Sequence, residues 1–135
     1  MRCRPVVSLP HHKLVAWQRA DDLFIDVHRL TRQRFPAEER FELSPQIRRA
    51  AYSVAANIVE GSARHHPRDG LRFFNMASAS LAELGYGLHA ARRLGYLDEA
   101  TYLEFEQKVR AVAAPLNGLM RRYGNGQVLV GGPTG

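Results

Sequence analysis

Residues 44–61 read Ser44-Pro-Gln-Ile-Arg-Arg-Ala-Ala-Tyr-Ser-Val-Ala-Ala-Asn-Ile-Val-Glu-Gly61. Ile47, Ala50 or Ala51, Val54, Ile58 and Gly61 recur at intervals of three and four, which lays one apolar stripe along a helix. Ala51, Ala55 and Val59 form a second face that is apolar but flat. Arg49, Ser53, Asn57, Glu60 and Arg64 run as a polar line down the remaining side. A helix apolar over that much of its circumference is buried on more than one side. It is therefore central in a bundle, or it also meets another subunit. Serine is a preferred N-cap and proline is tolerated at the first helical position, so Ser44-Pro45 predicts the start. The pattern carries the helix to about His65.

Working outward, residues 14–33 repeat the helical period with Leu14, Trp17, Ala20, Phe24, Val27 and Leu30. Arg29, Arg32 and Arg34 crowd the C-terminal end, where cations suit the helix dipole, and Phe35-Pro36 ends the run. After the turn at Pro67 and Asp69-Gly70, a third helix is predicted to Leu94, with Leu71, Phe74, Ala77, Leu81, Leu84, Leu88 and Ala91 as its core positions. Gly95 suits the position just past its end. Gly85 and Gly87 each cost about 1 kcal/mol relative to alanine inside a helix. Either they are tolerated or another helix approaches closely there. The fourth helix is predicted from Asp98, an N-cap, through the stripe Tyr102, Phe105, Val109, Val112, Leu116, Leu119 and Tyr123 to Gly124, with Pro115 kinking it near residues 111–115. With no alternating strand pattern, the reading is all-α: an antiparallel up-down-up-down four-helix bundle over residues 13–123. Residues 1–12 read as a flexible basic arm, interrupted by Pro5 and Pro10 and carrying Arg2, Arg4, His11 and His12. Residues 124–135 read as a flexible Gly-rich tail.

The chain has 135 residues, 45% hydrophobic and 24% charged, which fits one soluble globular domain and argues against disorder. A single cysteine, Cys3, excludes an intramolecular disulfide framework and a Cys-rich zinc module. No apolar run approaches the roughly 20 residues of a membrane-spanning helix, and the N-terminal residues make a poor signal peptide. No membrane partner and a cytoplasmic location are expected. Nineteen basic residues, 17 of them arginine, face 13 acidic ones, for a net charge of +6. Such an excess makes a polyanion a candidate partner, arginine being the better residue for bidentate phosphate contacts; codon bias of a GC-rich genome is the other reading of the arginine excess.

The pattern offers little for catalysis. There is no G-x-S-x-G, no P-loop and no G-x-G-x-x-G after a strand. His65-His66 are adjacent and cannot share one site on a straight helix, and no Glu-x-x-His pair occurs, so no metal site and no cofactor are expected. Glu60 and Glu83 sit in apolar helical stretches as candidates for buried carboxylates. An acid/base pair is one reading. The other, preferred here, is structural: each pairs with a neighbour such as Asn57, Ser80 or Arg64 and sets helix register. The basic constellation is more informative. Arg64, His65, His66, Arg68 and Arg72 surround the turn between helices two and three. In an antiparallel bundle Arg121 and Arg122, at the end of helix four, come to the same end. Together they make a candidate nucleic-acid-binding surface of the non-specific, salt-sensitive kind, with a merely solvated basic face as the other reading.

The run Gln46–Gly61 closely resembles the signature of a bacterial four-helix-bundle family. Its members include proteins encoded in intervening sequences of large-subunit ribosomal RNA genes, and the accessory variability protein of diversity-generating retroelements is a relative. Leu14-Val-Ala-Trp17, Phe35-Pro36, the Phe73–Glu83 stretch with Ser80-Leu-Ala-Glu83, and Leu94-Gly-Tyr96 match as well. The resemblance implies a four-helix bundle that assembles as a homopentamer, with no catalytic residues to carry over. It implies a structural role for Asn57, Glu60, Gly61, Ser80 and Glu83. The retroelement relative binds nucleic acid and its reverse transcriptase through a basic surface. This sequence departs from the pattern in Gly85, Gly87, Pro115 and the tail. The expected function is a non-enzymatic oligomeric bundle that binds RNA or DNA as scaffold or adaptor. The alternative is a protein–protein assembly module, for example a partner of a reverse transcriptase.

Overall fold

A computed structural model describes residues 9–126. The first eight residues of the expected arm and the tail beyond residue 126 lie outside that range. Four helices follow in order: α1 Val15–Arg34, α2 Leu43–Ser62, α3 Pro67–Arg93 and α4 Glu99–Gly124. A short 3-10 helix, Pro10–Lys13, leads into α1, and another, Ala37–Phe41, links α1 to α2. Each helix packs on its two neighbours around a square, and among the described residues the backbones of the diagonal pairs α1/α3 and α2/α4 stay apart. This is the up-down-up-down bundle that the periodicities predict. Its centre is the set of stripes read from the sequence: Val27, Ile58, Phe74, Leu84 and Val112 are fully buried.

The helix ends show which local signals prevailed. Asp98 caps α4 as expected, its carboxylate accepting from the Thr101 N–H at 2.8 Å; hydrogen bonds from the Thr101 side chain and then its N–H hold the Asp98 carboxyl below its ordinary pKa. Gly95 adopts φ +85°, and the bonds from Tyr96 N–H to the Ala91 carbonyl and from Gly95 N–H to the Arg92 carbonyl close α3 in a Schellman motif. Ser44 is not the cap of α2. The helix starts at Leu43 with Glu42 in the capping position, and Ser44 is buried inside the first turn. The reason is the preceding 3-10 helix, whose Glu39 carboxylate accepts from the Leu43 N–H at 3.3 Å. Pro45 still falls in the first turn, where a missing N–H costs nothing. At its other end α2 stops at Ser62, three residues short of the expected His65. Residues 9–12 are not a loose arm either. Pro10–Lys13 is helical, and His11 is buried against the Trp17 ring at 4.6 Å.

Pro115 lies inside α4, which runs through it unbroken. The carbonyl that Pro115 leaves without a helical donor is that of Ala111. Arg19 of α1 donates to it through Nη1 at 2.8 Å. One turn earlier, Lys108 of α4 pairs with Asp26 of α1 at 2.9 Å, a bond that raises the lysine pKa. The two contacts tie α1 to α4.

The two glycines inside α3 differ. A Cβ on Gly87 would fall 2.7 Å from Ile47 Cγ1 of α2, whereas one on Gly85 would meet nothing within 4 Å. Gly87 marks a close helix approach, and Gly85 is tolerated. Gly85→Ala is therefore expected to raise stability by up to about 1 kcal/mol through helix propensity. Gly87→Ala is expected to lower it by about 1–3 kcal/mol through overpacking. Denaturant melts of the two variants check this.

Candidate nucleic-acid interface

The turn between α2 and α3 is pulled tight by two glycines. A Cβ on Gly61 would sit 2.6 Å from the Phe74 ring and 3.0 Å from the Gly70 carbonyl. A Cβ on Gly70 would sit 2.7 Å from the Tyr123 ring and 3.0 Å from the Gly61 carbonyl. Phe74 in turn meets Tyr123 edge-on, with ring centroids 4.7 Å apart. These contacts seat the end of α4 against the α2–α3 turn, and so decide what surrounds that turn.

Arg64, His65, His66, Arg68 and Arg72 are exposed around the turn, and Arg121 and Arg122 are exposed on the last turn of α4 beside it. The structure therefore places all seven sequence-predicted residues at one end. Arg64 pairs with Glu60 at 3.1 Å, a solvent-facing pair one helical turn apart. The Arg64 and Arg72 guanidiniums both lie over the Phe73 ring, at 4.6 and 5.1 Å from its centroid. Arg68, Arg72, Arg121 and Arg122 form no ion pair among the described residues. Elsewhere some cations are paired, Arg92 with Glu99, Arg110 with Glu106 and Lys108 with Asp26, while Arg40 lies over the Phe41 ring and Arg48 donates to Thr31. Planar guanidiniums without carboxylate partners are available for bidentate contact with phosphate oxygens. Phe73 is covered by arginine, so this end offers charge rather than an open ring for base stacking.

Sequence alone does not place Lys13 here, because Pro10 reads as a breaker. As the first residue of a short helix it is permitted, and that helix brings Lys13 to the same end, exposed. Arg48 and Arg49 belong to the opposite end, where Arg48 donates to the Thr31 hydroxyl at 2.6 Å.

The predicted polar motif separates into parts. The Ser53 and Ser80 hydroxyls share a hydrogen bond of 2.8 Å across α2 and α3, and the Asn57 amide donates to the Ser53 carbonyl and hydroxyl. Glu60 and Glu83, read as buried carboxylates, are both exposed. The polar line lies at the outer edge of the α2–α3 contact, where its longer side chains reach water. This removes the ground for an acid/base pair. No group of three His, Cys, Asp or Glu side chains among the described residues has metal-holding geometry.

A family model described as 23S rRNA-intervening sequence protein matches residues 12–118. The chain belongs to that family. The match spans all of α1, α2 and α3 and most of α4, including the glycine-tightened turn. Among solved structures, a protein of unknown function from the S23 ribosomal protein family of Bacteroides thetaiotaomicron VPI-5482 superposes with a TM-score of 0.74. It is 20% identical, and the match covers 79% of this chain and 96% of that one, so it shows a shared fold. No curated protein matches the chain. No helix among the described residues is long and apolar enough to cross a membrane.

Beside this basic end sits a buried, titratable histidine. His11 packs on Trp17 and His12, and His12 Nδ1 accepts from the Leu9 N–H at 2.9 Å. Burial holds the His11 imidazole below its ordinary value of 6.5; the His12 charge adds to this and Asp21 opposes it. The fold thus favours neutral His11, and its contribution is complete above pH 6.5 and lost as pH falls below. Acidification from pH 7.5 to 5 is expected to lower Tm and shift the fluorescence of Trp17, the one tryptophan. In His11→Gln both changes should shrink.

Proposed function

We propose that the protein is a non-enzymatic, cytoplasmic, oligomeric scaffold that binds the backbone of RNA or DNA through its basic end. The observation that carries this reading is the gathering of Arg64, Arg68, Arg72, Arg121 and Arg122 at one end, four of them without an ion-pair partner among the described residues. Like charges gathered at one end repel one another, and a ligand of opposite charge relieves that repulsion. The family's description refers to intervening sequences of 23S rRNA, which makes structured RNA the first polyanion to test. Assembly into a homo-oligomer, a homopentamer on the resemblance, repeats the patch and raises avidity without any new contact. A second reading, a protein–protein module such as a partner of a reverse transcriptase, is favoured by the large exposed side chains Phe41, Tyr86 and Leu94 at the other end.

The test is fluorescence anisotropy of labelled structured RNA and duplex DNA across a salt series. Wild type runs beside the Arg64→Glu/Arg68→Glu/Arg72→Glu variant. Each phosphate that the variant no longer neutralises is expected to flatten the log–log slope on duplex DNA by about 0.9. Weak binding that the triple variant leaves unchanged would assign the function to a protein partner instead.

A further inference from the structure

At the end away from the arginine cluster, the 3-10 helix Ala37–Phe41, the first turns of α2 and the C-terminal part of α3 border an open groove of 630 Å³. Ile47 and Gly87 lie at its floor, and Phe41, Tyr86 and Leu94 line it while 79%, 69% and 57% exposed. Three large exposed apolar side chains on one groove make it a candidate docking surface. Its charged lining is three carboxylates, Glu39, Glu42 and Glu83, against one guanidinium, Arg49, and a second guanidinium, Arg40, lies over the Phe41 ring at 4.9 Å. Glu39 is engaged by the Tyr96 hydroxyl at 2.6 Å, a bond that raises the tyrosine pKa to about 12. Glu42 and Glu83 are exposed and form no ion pair among the described residues. In a chain of net charge +6, this groove is locally acidic, and it fits an apolar segment flanked by cations.

Residues 1–8, Met1-Arg-Cys-Arg-Pro-Val-Val-Ser8, have that composition: two arginines, two valines, a proline that opposes helix, and no acid. We propose that this segment of one copy docks in the α2–α3 groove of a second copy. Val6 and Val7 pack against Phe41, Tyr86 and Leu94, and Arg2 and Arg4 face Glu42 and Glu83. The inference rests on the reading that copies assemble and is independent of nucleic-acid binding.

Reach and charge select the second copy. Leu9 enters the bundle where α1 begins, at the end that holds Pro67. Glu83 and Leu94 stand about 24 and 40 Å from Pro67 along α3 at 1.5 Å per residue. Val6 is three residues from Leu9, at most about 11 Å, so its own groove is out of range. A nearer groove, lined by Leu14, Pro115, Gly118 and Leu119, has Arg122 as its only charged lining residue and adjoins the basic end. Arg2 and Arg4 are repelled there. A segment passing from one copy to the groove of the next is a heterologous contact, which closes into a ring when the rotation permits.

Cys3 is the only cysteine, so it is a unique handle for the test. Benzophenone maleimide is attached to Cys3 in the full chain, without nucleic acid. After irradiation, products are sized on a denaturing gel and mapped by mass spectrometry, and light scattering on the same sample gives the number of copies. The expected product joins Cys3 of one copy to residues 41–49 or 83–94 of another. It is lost in Glu83→Arg and in Tyr86→Ala, two exposed positions whose folding is checked by thermal melts. Cross-links confined within single chains, or inter-copy links elsewhere that persist in both variants, overturn the proposal. A multi-copy mass with that pattern leaves assembly standing and removes the segment's role; a single-copy mass removes both.

Discussion

The closeness of α2 and α3 at Gly61 and Gly70 is the constraint on which the rest of this molecule depends. Each glycine's missing side chain makes room for the other's carbonyl, and the two aromatic rings of Phe74 and Tyr123 fill the remaining space. A methyl group at either position would meet a packed ring edge below 3.0 Å, and a close-packed interior has little slack to absorb it. Because Tyr123 belongs to the last turn of α4, the same packing that closes the α2–α3 turn also brings Arg121 and Arg122 beside Arg64, Arg68 and Arg72. The hydrophobic end of the bundle and its basic rim are thus one unit.

The charge distribution then divides the surface by role. Along the sides of the bundle, carboxylates and cations are interleaved, as in Asp26–Lys108, Glu99–Arg92 and Glu106–Arg110. Such exposed pairs contribute about 0–1 kcal/mol each and leave the field locally neutral. At the α2–α3 end Glu60 meets only Arg64, and the remaining arginines face water. Their mutual repulsion slightly opposes folding, so packing beneath them holds them in place. At the other end the exposed side chains of Phe41, Tyr86 and Leu94 stand among Glu39, Glu42 and Glu83, with Arg40 over the Phe41 ring and Arg49 beside them.

Much of the fold is legible in residue spacing because helical burial imposes a period of three to four. The four stripes, the stop at Phe35-Pro36, the Asp98 cap and the Gly95 terminator all follow from local chemistry that the bundle does not contradict. The start of α2 departs because Glu39, on the preceding 3-10 helix, supplies the capping oxygen that Ser44 was positioned to give. Glu60 and Glu83 depart because a helical wheel assigns a direction but not the distance from that direction to water. Pro10 reads as a breaker, yet it begins the short turn that buries His11 on Trp17. Gly85 and Gly87 are chemically identical in sequence and opposite in context, since only one of them faces Ile47.

By itself the sequence determined the helical class, the antiparallel order, the membership of the stripes and the excess of arginine. These are properties of local period, short connections and composition, and they need no knowledge of what lies across an interface. The tertiary structure alone decided which cations share one end, which glycine is a contact and which is a gap, and that Arg19 would serve the carbonyl orphaned by Pro115. Those outcomes depend on distances between residues far apart in the chain, such as the 92 positions between Arg19 and Ala111. Such distances are set by packing the whole bundle at once.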